Sequence, residues 1–337
     1  QAFSLEGPRP LHGRRLQAGG AGLTSAARLA AITGATGFLG RQVVRVLGEA
    51  GWRVRILSRR DPIDPLWRDL TPEVVCGDLR ADDALARLCA GADVVIHAAG
   101  LVKAKNRAAF DAVNVEGARR VALAAQAAGV AHVLLVSSLT AREPGLSHYG
   151  ASKRAGEEAM AAILGERLTI ARPCAIYGPA DRELLPVFQA AAVSPLLPLV
   201  SEAGRVAMIH VADAAAQVAE LAAARPSGRT VALSDSRAEG YGWRELMAEA
   251  ARACGRSPRF AAAPKALIQA IGITNDFTVL AGVTPMLTSA KVRELLHPDW
   301  AIAPEERAEG LQPPKFDLRS GFSDTVAWYR SAAWMKH

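Results

Sequence analysis

The sequence predicts an α/β fold, a doubly wound parallel sheet of the Rossmann type with a smaller C-terminal substrate lobe. Three observations predict it. Short β-branched runs alternate with Ala-rich stretches over the first half of the chain, the first run leads straight into a Gly-x-x-Gly-x-x-Gly turn, and the alternation breaks after Arg172 at Pro173, Pro179, Pro186, Pro195 and Pro198. Runs at 28–32, 53–57, 74–76, 94–96, 132–136 and 168–172 read as strands. Between them, 41–50, 83–90, 108–128 and 149–164 are long enough and rich enough in Ala and Leu for helices. This alternation gives right-handed crossovers, helices on both faces, and a ligand crevice at the carboxyl ends of the strands. Residues 1–27, rich in Gly, Arg and Pro without apolar periodicity, read as a flexible leader or an appended remnant. Residues 28–178 form the dinucleotide-binding domain, and 179–337 the substrate lobe, with 208–211 and 230–233 as returning strands.

Composition excludes several classes. Of 337 residues, 50% are hydrophobic and 22% charged, which sets aside disordered, collagen-like and disulfide-scaffold chains. Cys76, Cys89, Cys174 and Cys254 lie far apart, with no C-x-x-C pair and no histidine at ligand spacing. That argues against a metal site or disulfide framework and for a reducing, cytoplasmic compartment. A net charge of +7 suits a polyanion or an anionic membrane face. The Arg pairs are scattered and lack interleaved aromatics, so nucleic acid is set aside as a partner. The longest apolar stretch, 266–287, contains Asn275, Asp276 and Pro285. It reads as a buried or interfacial helical segment, so membrane contact would be peripheral, on the inner face.

The sharpest motif is Thr33-Gly34-Ala35-Thr36-Gly37-Phe38-Leu39-Gly40. Its glycines permit a tight turn, let backbone N–H groups approach a pyrophosphate, and open a helix whose N-terminus favours an anion. A glycine triplet alone fits a ligand-free turn equally well, and the strand–turn–helix context selects the dinucleotide reading. After the second strand, Ser58-Arg59-Arg60 stands where a carboxylate would hold the ribose 2′-OH of NAD. A guanidinium there accommodates a 2′-phosphate, so NADP(H) is preferred and NAD(H) is the alternative. The plainer reading is a solvated basic turn neutralised by Asp61 and Asp64. Asp78 and Leu79 close the third strand, where a carboxylate can accept from the adenine amino group. Ala98, Ala99 and Gly100 follow the fourth, leaving room for a ribose.

The catalytic candidates follow the fifth strand: Ser138, then Tyr149 and Lys153. A spacing of four puts Tyr149 and Lys153 on one helix face, where the ammonium and a nicotinamide ring would favour phenolate. Ser137 and Thr140 are rival hydroxyls for polarising a substrate. Alone, the Tyr-x-x-x-Lys pair would be an ordinary surface contact. Downstream of a dinucleotide motif it reads as an acid–base pair.

These segments together resemble the short-chain dehydrogenase/reductase superfamily, in its extended or atypical, epimerase/dehydratase-like branch, over about residues 28–213. Asn114 in Val113-Asn114-Val115-Glu116-Gly117, the Arg172-Pro173 segment and Ile209-His210-Val211-Ala212-Asp213 extend the match. The resemblance implies that Asn114 supports Lys153 through water, that the Pro173 region contacts the nicotinamide carboxamide, and that copies pair as a homodimer through the two long helices. Ser138 and Tyr149 lie closer together than in sugar-nucleotide epimerases, and no Thr-Asp-Glu dehydratase triplet is present. The main reading is therefore a carbonyl reductase taking a small-molecule or lipid substrate. Its alternatives are a sugar-nucleotide epimerase and a non-catalytic accessory subunit like that of respiratory complex I. The apolar segments 190–200 and 266–287, with Ser-Ser-Leu-Thr before a close Tyr-x-x-x-Lys, also resemble bacterial ceramide reductases and imply a 3-keto lipid such as 3-ketoceramide.

Overall fold

A computed structural model describes residues 27–201, 203–280 and 288–336. Positions 1–26 and positions 281–287 of the long apolar stretch lie outside the described residues. The six expected strands all form: β1 Leu29–Thr33, β2 Arg53–Ser58, β3 Glu73–Cys76, β4 Val94–His97, β5 His132–Val136 and β6 Leu168–Pro173. Beyond them come β7 Ala175–Tyr177, β8 Leu196–Leu199, β9 Arg205–Val206, β10 Met208–His210, β11 Thr230–Leu233, β12 Tyr241–Gly242, β13 Arg259–Ala262 and β14 Asp299–Trp300. The central sheet has seven strands in the order β3-β2-β1-β4-β5-β6-β11, every pair parallel. All carboxyl ends therefore share one edge, and the strand order reverses between β1 and β4, where the crevice opens. The segment at 208–211 stays out of this sheet: β10 pairs with β7, and helix begins at Val211.

Alternation along each strand builds two cores. Ala30 and Ile32 of β1 join one buried cluster with Val43 and Leu47 of α1 (Gly40–Glu49), whereas Leu29 and Ala31 join the other. The second cluster packs α2 (Asp82–Cys89) and the long helices that follow, through Leu85, Leu88, Val121 and Met160. The helix expected at 108–128 is interrupted. It splits into α3 (Arg107–Phe110), a π-helical turn at Asp111–Gly117, and α4 (Ala118–Ala127). The widened turn runs against Gly156 of α5 (His148–Leu164), where an added Cβ would lie 2.2 Å from the Asn114 carbonyl oxygen. Such bulges commonly place functional side chains, and this one carries Asn114.

After α6 (Leu185–Val193), α7 (Val211–Ala223) returns to the first face of the sheet. A third core gathers Tyr177, Phe188, Leu246, Phe322 and Tyr329 from the C-terminal lobe, which includes α8 (Trp243–Ala253) and α11 (Leu318–Ser331). Two helices lie between these, α9 (Lys265–Leu280) and α10 (Ser289–Leu296). In their described parts, the apolar segments 190–200 and 266–287 divide between exposed and packed side chains. Val193, Leu196, Leu267, Ile271 and Ile273 are exposed, and Leu197 packs into the third core. Apolar composition cannot distinguish a lining residue from a bare one.

Candidate active site

The glycine turn is shaped by contacts that only a bare backbone allows. Gly34 has φ +74°, and a Cβ there would lie 2.5 Å from the Ala99 nitrogen, so this residue lets β1 and the end of β4 meet. At Gly40 a Cβ would sit 2.1 Å from the Gly34 carbonyl oxygen, which fixes α1 hard against the turn. No side chain caps α1, and no acidic residue lies in its first turn. Its positive end, bordered by Thr36, Gly37, Phe38 and Leu39, is left for an anion. This cradle fits a dinucleotide pyrophosphate.

Ser58 closes β2 and donates its hydroxyl to the Arg60 carbonyl, while Arg59 is exposed. Asp64 does not neutralise Arg59: it pairs with Arg41 at 2.6 Å and caps the turn at Pro65–Trp67. Asp78 pairs with Arg80 at 2.8 Å, which with a smaller contribution from Arg59 holds its carboxyl below the ordinary range. Leu79 lies beside Gly117, whose Cβ would approach its Cδ1 to 2.8 Å. Ala98, Ala99 and Gly100 continue from β4, and Pro173 ends β6 on the same sheet edge.

Ser138, Tyr149 and Lys153 come together at that edge. Ser138 caps a short 3-10 turn, Leu139–Arg142, and its Oγ accepts from the Thr140 hydroxyl at 2.8 Å. It also acts on the Tyr149 phenol, drawing its pKa down against burial. Thr140 is thus spent on orienting Ser138, and the Ser137 hydroxyl is buried with no hydrogen-bond partner among the described residues. Lys153, one turn along α5, is buried and donates to the Val136 carbonyl at 2.9 Å. Asn114 bonds both backbone groups of Leu101, at 2.8 and 3.0 Å, and donates to Ser152 Oγ at 2.9 Å. Ser152 in turn donates to the Tyr149 carbonyl, so Asn114 holds the helix of Tyr149 and Lys153 directly. A Cβ on Gly100 would stand 3.2 Å from Asn114 Oδ1 and 3.7 Å from Lys153 Nζ, so the bare glycine keeps the space between them clear.

Burial dominates the electrostatics of the site. Tyr149 is pushed up to about 12 by burial, against the effect of Ser138, and Glu294 adds to the rise. Lys153 is held down to about 8 by burial, with Glu157 opposing. Without a cofactor the protein fraction of the site therefore favours a neutral phenol, the proton-donor form. His97, buried at the end of β4, hydrogen-bonds Thr33 at 2.7 Å and is held neutral, near 3, by burial and by Lys153.

Sequence reasoning missed the supports. Glu157 forms a buried bidentate pair with Arg172, at 2.9 and 2.5 Å. Glu294 of α10 accepts the Ser147 hydroxyl at 2.5 Å, and Ser147 caps the helix bearing Tyr149. Arg142 reaches the carbonyls of Ala301 and Asp299 at 2.8 and 2.6 Å, and Arg293 donates to that of Leu146 at 2.8 Å. The loop between Ser138 and Tyr149 is clamped by the C-terminal lobe. Only its shortness hinted at such fixing.

The chain is 51% identical over 313 residues to the ceramide reductase of Caulobacter vibrioides, covering 93% of this chain and 98% of that protein. It is 28% identical to NADH dehydrogenase [ubiquinone] 1 alpha subcomplex subunit 9, mitochondrial, of Dictyostelium discoideum, over 65% of this chain and 61% of that one. The solved structure of gox2253 shares the fold, with a TM-score of 0.72 and 23% identity over 92% of this chain and 99% of that chain. Residues 30–233, from β1 through β11, match the model of the NAD dependent epimerase/dehydratase family, so the chain belongs to that family, the extended branch of the short-chain dehydrogenases/reductases.

Proposed function

We propose that this protein is an NADP(H)-dependent reductase that converts the 3-keto group of a long-chain lipid, 3-ketoceramide foremost, to an alcohol. The observation that carries the reading is the end-to-end 51% identity with the Caulobacter ceramide reductase, which spans the C-terminal lobe as well as the dinucleotide half. The cofactor would be held by the Gly34–Gly40 turn, Asp78, Ala98 and Lys153, with Arg59 toward a 2′-phosphate. When bound, it supplies the hydride for the carbonyl carbon. Tyr149 gives its phenolic proton to the carbonyl oxygen, and Ser138, oriented by Thr140, hydrogen-bonds that same oxygen. Lys153 presents a positive charge to the cofactor ribose from its seat on the Val136 carbonyl. The placement of Ser138, Tyr149 and Lys153 at one sheet edge supports an enzyme over a non-catalytic accessory subunit.

The test is to incubate the purified protein with NADPH and 3-ketodihydroceramide in detergent micelles and follow the alcohol by mass spectrometry. Product is expected, and Tyr149→Phe should lower turnover about 100-fold or more while cofactor affinity stays near that of the parent. No product, under conditions where a nucleotide sugar or a soluble ketone is turned over, would reject the lipid substrate.

A further inference from the structure

The outer face of α9 is apolar where a surface helix should be polar. Ile268 and Gly272 are buried, and a Cβ on Gly272 would lie 2.9 Å from Val292 of α10, so this side is the packed one. The opposite side presents Leu267, Ala270, Ile271 and Ile273, with Leu267 56%, Ile271 42% and Ile273 55% exposed. Its one hydroxyl, on Thr274, donates back to the Ala270 carbonyl at 2.9 Å and leaves no unmet donor on that side. Ile268 and Gly272 recur at helical spacing, so the bare face is a consistent stripe.

The segment leading into this helix carries charge of one sign. Between Glu249 and Asp276 the chain carries Arg252, Arg256, Arg259 and Lys265 and no acidic residue. Arg256, Arg259 and Lys265 are exposed and form no ion pair among the described residues. Arg259 opens β13, the strand leading into α9, and lies in register with exposed Leu196 of β8. An apolar stripe bordered by unpaired cations matches the interfacial zone of an anionic bilayer, where apolar side chains enter below the headgroups and cations meet them. A second copy of this chain would bring the same cations against each other, which disfavours self-association through this face. Among the described residues no helix is long and apolar enough to cross a membrane.

We propose that α9 and the basic strand before it dock this protein on an anionic lipid surface, with the Leu267–Ile273 side of the helix inserted at the headgroup boundary. The α9 helix packs on α10, whose Glu294 reaches Ser147 at the start of the catalytic helix, so docking would place the active-site lobe next to the bilayer. The purpose of the surface rests on the lipid-substrate reading above, but its existence can be tested without any substrate.

Flotation of the full chain with phosphatidylcholine vesicles, with and without phosphatidylglycerol, supplies that test, because the vesicles carry no keto lipid. Binding is expected only to the anionic vesicles and should fall with added salt. The pair Leu267→Glu and Ile271→Glu should abolish it, and Arg256→Ala with Arg259→Ala should weaken it about tenfold or more. Both variants should keep their thermal midpoint and their turnover of substrate in detergent. Three results would overturn the proposal: no binding to anionic vesicles, equal binding by parent and Glu variant, or a parent dimer that the Glu variant converts to monomer without any vesicle binding. A failure of ketolipid turnover in detergent alongside intact vesicle binding would strike the proposed reaction and leave the docking surface standing.

Discussion

Ser147 gives its hydroxyl to Glu294 Oε1 at 2.5 Å and its Oγ accepts from the Gly150 backbone at 2.9 Å, so the cap of the catalytic helix is completed by a carboxylate from the other lobe. Glu294 is buried, pairs with Lys291 at 3.0 Å, and acts electrostatically on Tyr149. One residue thus fixes the helix start and biases the proton donor toward its neutral form. This ties the C-terminal lobe to Tyr149 across the fold.

Glu294→Gln separates the two effects. The amide keeps an acceptor for Ser147 but removes the charge that helps raise Tyr149, so the phenol should ionise at lower pH. The pH profile of alcohol oxidation, which needs the phenolate, is expected to shift its limb downward with little change in thermal midpoint. Ser147→Ala should instead cost about 1 kcal/mol of stability, as loss of an N-cap does. An unmoved pH profile in Glu294→Gln would make Glu294 a purely structural cap.

Lys153 gives a pH dependence whose sign follows from its burial. Its pKa is about 8 in the folded chain against an ordinary 10.5. Below about 8 both folded and unfolded chains carry the proton, and the fold bears the full cost of the buried ammonium. Between about 8 and 10.5 only the unfolded chain holds the proton, so this group's contribution to stability rises with pH. Urea midpoints at about pH 7.5 and 9.5, on either side of the folded-state pKa, should show a rise in the parent that Lys153→Met lacks. Cofactor affinity should move the opposite way and fall as pH passes about 8, since a neutral amine no longer attracts the dinucleotide.

The Arg172–Glu157 pair lies behind that lysine and is almost wholly buried on the Glu157 side. Removing one partner leaves an uncompensated buried charge, so Glu157→Gln should destabilise by about 3–5 kcal/mol. It should also lower the pKa of Lys153 further, because Glu157 is the charge that raises it. The double change Glu157→Gln with Arg172→Met should recover much of the stability yet keep the earlier loss of cofactor affinity with pH. If both properties recovered together, Glu157 would be a structural partner of Arg172 alone.

The parts of the site that were legible in sequence are those whose chemistry is local. Gly34 and Gly40 announce themselves because no other residue fits a positive φ or a 2.1 Å approach, and Tyr149 and Lys153 because four residues make one helical turn. Glu294 was not legible. It meets Ser147 across 147 positions, and nothing in its own helix sets it apart. The π turn at Asp111–Gly117 keeps an apolar rhythm close to that of an α-helix, so only packing against Gly156 reveals it. The raised Tyr149 escaped for a related reason: a neighbouring ammonium can be read from spacing, whereas burial cannot. For α9, an apolar stretch looks the same in sequence whether it faces a core or stands bare.

Arg59 supplies the test of cofactor choice. It stands exposed just beyond β2, forms no ion pair among the described residues, and lies close enough to Asp78 to depress its carboxyl. Asp64, the neighbour that might have neutralised it, is committed to Arg41. Asp78 is itself held by Arg80. A guanidinium so placed is free to fork onto a 2′-phosphate, and a hydrogen bond to a charged group is worth about 1.5–3 kcal/mol. Solvent exposure puts the expected effect at the lower end, about a tenfold loss of NADPH affinity in Arg59→Ala. NADH carries no 2′-phosphate, and its affinity should change by less than about twofold, since Arg59 then meets only a hydroxyl. Titration calorimetry with both cofactors, repeated at raised salt, measures the difference directly. Arg60→Ala serves as the control, because it removes a neighbouring charge while leaving Arg59 in place. Equal weakening of the two cofactors by Arg59→Ala, or an NADH preference in the parent, would reduce Arg59 to a solvated turn residue and reverse the choice of NADP(H).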